Sequence, residues 1–322
     1  MADNQYTYAV ARIRSKELSL LSKKDFEQLL LCKDYKECMN LLFDMGWGSK
    51  EQEDSSDIIS FEHKKTWDLI EELVEDMSVF DVFLYENDFH NLKAAIKQAY
   101  QKVEVPNIFI SHGTVSASLI NEAVMQHDFS ILPERMRDCG KEAYEALLHT
   151  GDGQLCDMII DKGALEAIYK AGKSSKNELL SLYAELKVAV ANIKIAIRGC
   201  NTNKSKEFYL RAMTECETLN LESLIDAALQ NVDAVIEYIN STVYADASFA
   251  IKESLSSFER WCDNMLIAKI GPQKYNPFTV SPLAAYILAR DNELKTVRII
   301  LSGKRNSLSE DIIRERIRDS YV

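Results

Sequence analysis

The chain has 322 residues, of which 47% are hydrophobic and 27% charged, with a formal net charge of −12 and a pI of about 5.1. Nucleic acid is excluded as a partner on that balance, because its phosphates would be repelled without a concentrated basic face. Eleven glycines and five prolines are less than half the usual share of about 12%. Hardly any segment alternates apolar and polar residues, so the fold class is all-α, with enough length for two or three packed units.

No stretch approaches the ~18 consecutive apolar residues that a membrane-spanning helix needs. The opening MADNQYTYAVARIRSKE lacks the apolar region of a secretory signal. Seven scattered cysteines form no CxxC pair, which fits a reduced, cytosolic chain using cysteine as a small core residue.

In chain order, a polar leader precedes an apolar helix through Leu20 and Leu21. Ser22-Lys23-Lys24-Asp25 has the form of a capping box for the next helix. Asp34 opens another that ends near Met45, where Gly46-Trp47-Gly48 turns the chain. After the polar loop Glu51–Ser56 comes a long helix expected to carry Trp67, Ile70, Val74 and Met77. Asp81 leads into Val82–Lys102, whose apolar residues Val82, Tyr85, Phe89, Leu92, Ile96 and Ala99 are spaced as the stripe of a core-facing helix.

Val103–Gly113 reads as an extended connection and a boundary; within it, Val105–Ser111 is the best candidate strand. Breaks at Pro133 and at Thr150-Gly151-Asp152-Gly153 precede two long helices, Leu155–Ala171 and Lys176–Arg198, the second with Gly199 in a C-capping place. Short helices run to about Val243. A helix from Ser248 to about Ile267 is expected to bury Phe249, Leu255, Phe258, Trp261 and Leu266. The loop Gly271–Pro277 introduces Ser281–Lys304, and a final helix, Glu310–Asp319, carries three arginines.

The stretch at Val82 recurs. Asn91-Leu92-Lys93 returns 101 residues later as Asn192-Ile193-Lys194, and after the same interval as Glu293-Leu294-Lys295. The third copy breaks register at Asp291 and Arg298. Three related helical units follow, at 1–104, 105–204 and 205–322. A helical-repeat scaffold would show a period of about 33–47 residues instead.

No catalytic, cofactor-binding or metal-binding residue is assigned. The chain has no GxxxxGK[ST], HExxH or GxSxG. Gly303-Lys304 reads as a helix C-cap followed by a lysine, and Glu53–Asp57 as a solvated acidic loop. His63, His90, His112, His127 and His149 stand apart from one another, as surface or packing residues. A helical metal enzyme would need clustered acids on facing helices, whereas the acids here are expected along solvated faces. Lys93, Lys194 and Lys295 are either three equivalent cations facing one partner or, the reading preferred, snorkelling residues paired with nearby carboxylates.

PLAAYILARDNELKTVRIILSGKRNSL (282–308) is strongly similar to the C-terminal signature of the C subunit of V/A-type rotary ATPases, the counterpart of the d subunit of eukaryotic V-ATPases. Asp88-Phe89-His90-Asn91-Leu92-Lys93 resembles that family's first internal motif, and Asn192-Ile193-Lys194 with Arg198-Gly199 its second. The opening YAVARIRSKELSLL resembles the family's start. One departure is Ala189, in the place that Asp88 holds in the first copy.

The resemblance implies three similar helical domains about a pseudo-threefold axis, funnel-shaped with a central cavity. It implies a non-catalytic central-stalk (rotor) protein, one copy per complex, between the central axle subunits of the catalytic head and the membrane proteolipid ring. Such a protein passes torque for ATP-coupled proton or sodium transport. It sits on the cytoplasmic side of the membrane through protein partners, without cofactor, small-molecule substrate or nucleic acid. The competing reading is a cytosolic all-helical scaffold unrelated to rotary ATPases.

Overall fold

Many of the helices start where a side chain can accept from the first unpaired N–H groups. In the computed structural model, which describes residues 6–48 and 54–322, the chain opens with α1 (Thr7–Glu17), α2 (Lys23–Leu31), α3 (Tyr35–Asp44) and α4 (Ser55–Leu73). Ser22 and Asp25 each accept from the other's N–H, the expected capping box of α2. Asp34 and Asp54 cap α3 and α4. Met1–Gln5 of the leader and Glu51–Glu53 of the polar loop and acidic run lie outside the described residues, as do Ser49 and Lys50.

The middle of the chain holds α5 (Asp81–Gln101), α6 (Ala117–Gln126), α7 (Glu134–Thr150), α8 (Gly153–Ser174), α9 (Glu178–Asn201), α10 (Lys206–Ala212), α11 (Leu221–Ala228) and α12 (Val232–Asn240). The C-terminal part is α13 (Ser248–Glu253), α14 (Leu255–Ile270), α15 (Ser281–Arg305) and α16 (Glu310–Arg314). The fold is all-α: no strand occurs among the described residues, and Val105–Ser111 is an extended connection.

Five expectations need correction. The first helix ends at Glu17, so Leu20 and Leu21 lie in the connection to α2 rather than in a helix. The long fourth helix stops at Leu73, because Val74 adopts extended backbone; Met77 opens a short 3₁₀ turn instead. The helix expected over Ser248–Ile267 is two, because Ser254, in extended backbone, caps α14 through the N–H of Ser257. Phe249 therefore leaves the buried face and is 77% exposed. The last helix ends at Arg314 rather than Asp319. Gly199 and Gly303 lie inside α9 and α15, not past their ends. A Cβ on Gly199 would strike the Tyr209 ring, and one on Gly303 the Ile313 side chain. Close approach, not a left-handed turn, demands glycine at both places.

The chain divides into two compact units, one within Met1–Met77 and Ala247–Val322, the other Ser78–Asp246. In the second, α5 lies on α6, α7 and α8, and α9 on α8, α11 and α12. Phe89, Leu92 and Ile96 of α5 are buried in one cluster with residues of α6, α7 and α8, as the stripe requires. In the first, Leu294, Val297, Ile300 and Leu301 of α15 are buried with residues of α2, α3 and α4. Each such side chain contributes about 1.5–3 kcal/mol of burial.

Packing leaves no room for a Cβ where α8 meets α9. A Cβ on Gly172 would meet the Leu180 carbonyl oxygen at 2.8 Å and collide with the Ala184 methyl. Backbone cannot swing aside as a side chain can, so Gly172→Ala is expected to cost about 1–3 kcal/mol. Gly153→Ala, with nothing within 4 Å, should be within about 0.5 kcal/mol of wild type. Urea unfolding of the two variants checks the contrast.

Candidate functional site

Each motif helix presents a buried polar side chain to the segment that leaves it. On α5, Asn91 is fully buried; its Oδ1 accepts from the Ile110 N–H (2.8 Å) and its Nδ2 donates to the Ile110 carbonyl (2.9 Å). On α9, Asn192, also fully buried, makes the same pair of bonds to Thr214, at 3.1 and 2.7 Å. A carboxamide matches a peptide group donor for acceptor, so one side chain fixes one peptide against the helix. The repeated asparagine is thus a clamp for the connection that leaves its helix.

A carboxylate acts four residues further along each connection. Asp88, fully buried, accepts from the Thr114 N–H (2.8 Å), the Thr114 hydroxyl (2.5 Å) and the Val115 N–H (3.1 Å). The Arg135 guanidinium, stacked over Tyr85, supplies the countercharge at 3.2 Å. Gly113 is required beside it, since a Cβ there would overlap Asp88 Oδ1. In the second copy Ala189 leaves that place empty of charge, but Glu185, one turn earlier, reaches the equivalent threonine. It accepts from the Thr218 N–H (2.8 Å) and hydroxyl (2.7 Å), with Lys173 at 3.3 Å. Burial works against the charge of Glu185, yet the Thr218 donors and Lys173 hold its pKa below the ordinary glutamate value. The acid is retained in the second copy, displaced by one turn.

In the third copy the asparagine is Asn292, one residue before the place that the 101-residue interval gives. Its Nδ2 donates to the Asp319 carbonyl (2.8 Å), while its Oδ1 is buried without a partner among the described residues. Glu293 accepts from the Leu21 N–H and from Arg290. Arg290, 5% exposed, also donates to Glu62 (2.7 Å) and Thr66 (3.1 Å) and lies over the Trp47 ring. Glu62 in turn accepts from the Gly48 N–H at 2.8 Å. Desolvation disfavours the charge on Arg290, but Glu293, Tyr286 and Glu62 outweigh it and raise its pKa. Burial pushes the pKa of Glu293 up.

These acids correct the expectation of solvated faces: Glu17, Glu62, Asp88, Glu185 and Glu293 are all buried. Glu62, Asp88, Glu185 and Glu293 each accept from a backbone N–H, and Glu17 from Arg14 and the Tyr321 hydroxyl. No group of three or more His, Cys, Asp or Glu that could hold a metal occurs among the described residues. His127 packs on Tyr144 and bonds its hydroxyl at 2.5 Å, and His63 bonds the Trp67 indole.

Of the three repeated lysines, Lys93 pairs with Asp161 (2.5 Å) and Lys295 with Asp263 (2.7 Å), as the preferred reading has it; Lys194 is half-buried on α9. Lys304 does not follow a C-cap. It donates to the carbonyls of Leu30 and Cys32, completing the C-terminal end of α2. Burial of Asp263 opposes its charge, but Lys295 and Arg318 prevail and depress its pKa. A depressed carboxylate contributes stability that is present above its unfolded pKa of about 3.9 and lost as pH falls through the folded value. Asp263→Asn should therefore be less stable than wild type near pH 6, with a deficit that shrinks below pH 4. Urea midpoints across that range test this; a deficit independent of pH would refute it.

A family model described as ATP synthase (C/AC39) subunit matches residues 9–316. The chain belongs to that family. The C subunit of the V-type sodium ATPase of Enterococcus hirae is 22% identical over 318 residues, covering 96% of this chain and 97% of its own. The C subunits of the A-type ATP synthases of Methanocaldococcus jannaschii and Thermococcus kodakarensis are 22% and 21% identical over 96% of this chain, and over 85% and 89% of their own. The C/AC39 family is one of ATP synthase subunits, and no helix among the described residues is long and apolar enough to cross a membrane.

Sequence reasoning missed Glu185, Arg290, Glu62 and Arg135. It includes Asn292 in the most specific run of the resemblance, Asn292-Glu293-Leu294-Lys295, without matching it to Asn91 and Asn192. Thr114 and Thr218 each stand four residues after a clamped residue, Ile110 and Thr214, but the clamps become visible only in the fold.

Proposed function

We propose that the chain is a non-catalytic central-stalk component of a V/A-type ATPase, present once per complex. It would join the axle of the catalytic head to the proteolipid ring and pass torque for ATP-coupled proton or sodium transport. Its place would be on the cytoplasmic side of the membrane, held by those partners. The observation that carries this reading is the family match over residues 9–316. Relatives named as the C subunits of a V-type sodium ATPase and an A-type ATP synthase, matched over most of their length, support it. The three related units, 1–104, 105–204 and 205–322, in a funnel about a central cavity, belong to the same proposal.

The mechanics agree with it. A coupling element has to be stiff, and helices of 21, 24 and 25 residues packed along apolar stripes resist deformation because interiors are close-packed. The buried clamps extend that stiffness to the connections, which are ordinarily the compliant part of a helical protein. All acids of the clamps are engaged in holding backbone, which supports a protein that transmits force and leaves catalysis to others.

The test is a pull-down of the tagged chain from detergent-solubilised membranes, followed by mass spectrometry. Recovery of the proteolipid ring with axle and catalytic-head proteins is expected. Recovery of unrelated soluble proteins alone would sink the reading and favour a cytosolic scaffold.

A further inference from the structure

The three carboxylates do one job at three places, and at one of them the chain is not continuous. Asp88 of α5 accepts from Val115, the residue before Ser116, the N-cap of α6. Glu185 of α9 accepts from Thr218, two residues before Asn220, the N-cap of α11. Glu293 of α15 accepts from Leu21, the residue before Ser22, the N-cap of α2. Each motif helix thus holds the entry of a helix group that packs on it: α6, α7 and α8 on α5, α11 and α12 on α9, and α2, α3 and α4 on α15. In the first two cases the group follows its motif helix along the chain, after α10 in the second. In the third the group precedes it by more than 200 residues, and only side chains close the connection.

We infer that the contact of α15 with α2, α3 and α4 is a conformational seam, at which this unit opens and closes as one piece. The bonds across it include Glu293 to the Leu21 N–H, Arg290 to Glu62 and Thr66, Lys304 to the Leu30 carbonyl of α2 and Arg305 to Asp54, the N-cap of α4, at 2.7 Å. They lie along one face and share the apolar cluster of Leu294, Val297, Ile300 and Leu301. Bonds arrayed along one packed face are lost together when it parts, which is the condition for a cooperative local opening. The clamp is also half-made here. Asn91 and Asn192 each bind both groups of one peptide, whereas Asn292 binds only the Asp319 carbonyl and leaves its Oδ1 buried and unpaired among the described residues. The C-terminal tail stands in for the missing connection, with the Tyr321 hydroxyl on Glu17 at 3.3 Å. Neither α5 nor α9 has such a break, so their groups stay closed when the seam parts.

Hydrogen exchange of the full-length chain, followed by mass spectrometry of peptides at rising sub-denaturing urea, reads this directly. Peptides from α2, α3, α4 and α15 should lose protection at one common rate, before those from α7, α8 and α9. Glu293→Gln should speed that common opening about tenfold and leave α7, α8 and α9 unchanged, as the loss of one charge-assisted bond implies. Lys304→Met, which spares the buried core, should act in the same direction and serves if the first variant does not fold. Exchange of α15 and α2 at unrelated rates, or only together with α7, α8 and α9, would overturn the seam. So would equal acceleration of both sets by either substitution. None of these outcomes depends on which partners the pull-down recovers.

Discussion

Arg290→Met is expected to lower the stability of the unit that holds α15 by about 3–5 kcal/mol, the usual consequence of removing one partner of a buried ion pair. Arg290 is 5% exposed and lies between two carboxylates that are 2% and 4% exposed, Glu62 and Glu293. Methionine fills much of the volume, so lost packing is a minor part of the effect. The major part is two acids left in a dry interior without their cation. Glu62 keeps the Gly48 N–H and Lys65, at 2.8 and 3.2 Å; among the described residues Glu293 keeps only the Leu21 N–H. Because burial already raises the pKa of Glu293, that acid can escape by taking a proton. The deficit should therefore shrink as pH falls from 7 towards 5. Arg290→Lys should recover little, since an ammonium cannot reach Thr66, Glu62 and Glu293 from one rigid fork. Urea unfolding at both pH values measures all of this. A loss below about 1 kcal/mol at pH 7 would mean that the network contributes nothing beyond a surface pair.

The local grammar of the chain was legible, and its long-range closure was not. Ser22 and Asp25 announce a capping box because the interaction spans one helical turn, and α2 starts there. The stripe through Phe89, Leu92 and Ile96 is periodic, and periodicity identifies the face that is buried. Glycine was harder. Gly199 and Gly303 stand near helix ends, where a C-cap is the ordinary explanation, but their neighbours Tyr209 and Ile313 are known only once the fold is. Buried acids were misjudged for a related reason. A glutamate on a helix looks alike in sequence whether it faces water or a backbone N–H, and Glu62 and Glu293 meet only through Arg290 and a chain separation of more than 200 residues. The second-copy acid shows the limit most plainly. Counting by a fixed interval lands on Ala189, whereas the longer side chain of Glu185 reaches the same threonine from one turn away.

Asn192→Ala and Asn91→Ala remove the same clamp and should differ severalfold in effect. In the second copy the clamped peptide belongs to Thr214, which is 5% exposed. Alanine there leaves a buried N–H and a buried C=O without partners, at about 1–3 kcal/mol each. The expected loss is about 2–5 kcal/mol. In the first copy Ile110 is only half-buried, so water can take over both groups and the loss should be near 1 kcal/mol. The lost side-chain volume is identical, which makes packing a poor explanation for any difference. Asn192→Asp sharpens the comparison: it keeps the acceptor for the Thr214 N–H but sets a carboxylate oxygen against the Thr214 carbonyl, so it should be no better than alanine. Urea unfolding and hydrogen exchange of the Met213–Thr218 segment provide the readouts. Equal losses at Asn91 and Asn192 would show that the clamp acts through helix packing alone. The larger loss at Asn192 would show that connecting segments in this fold are held by the helices that precede them, one peptide at a time.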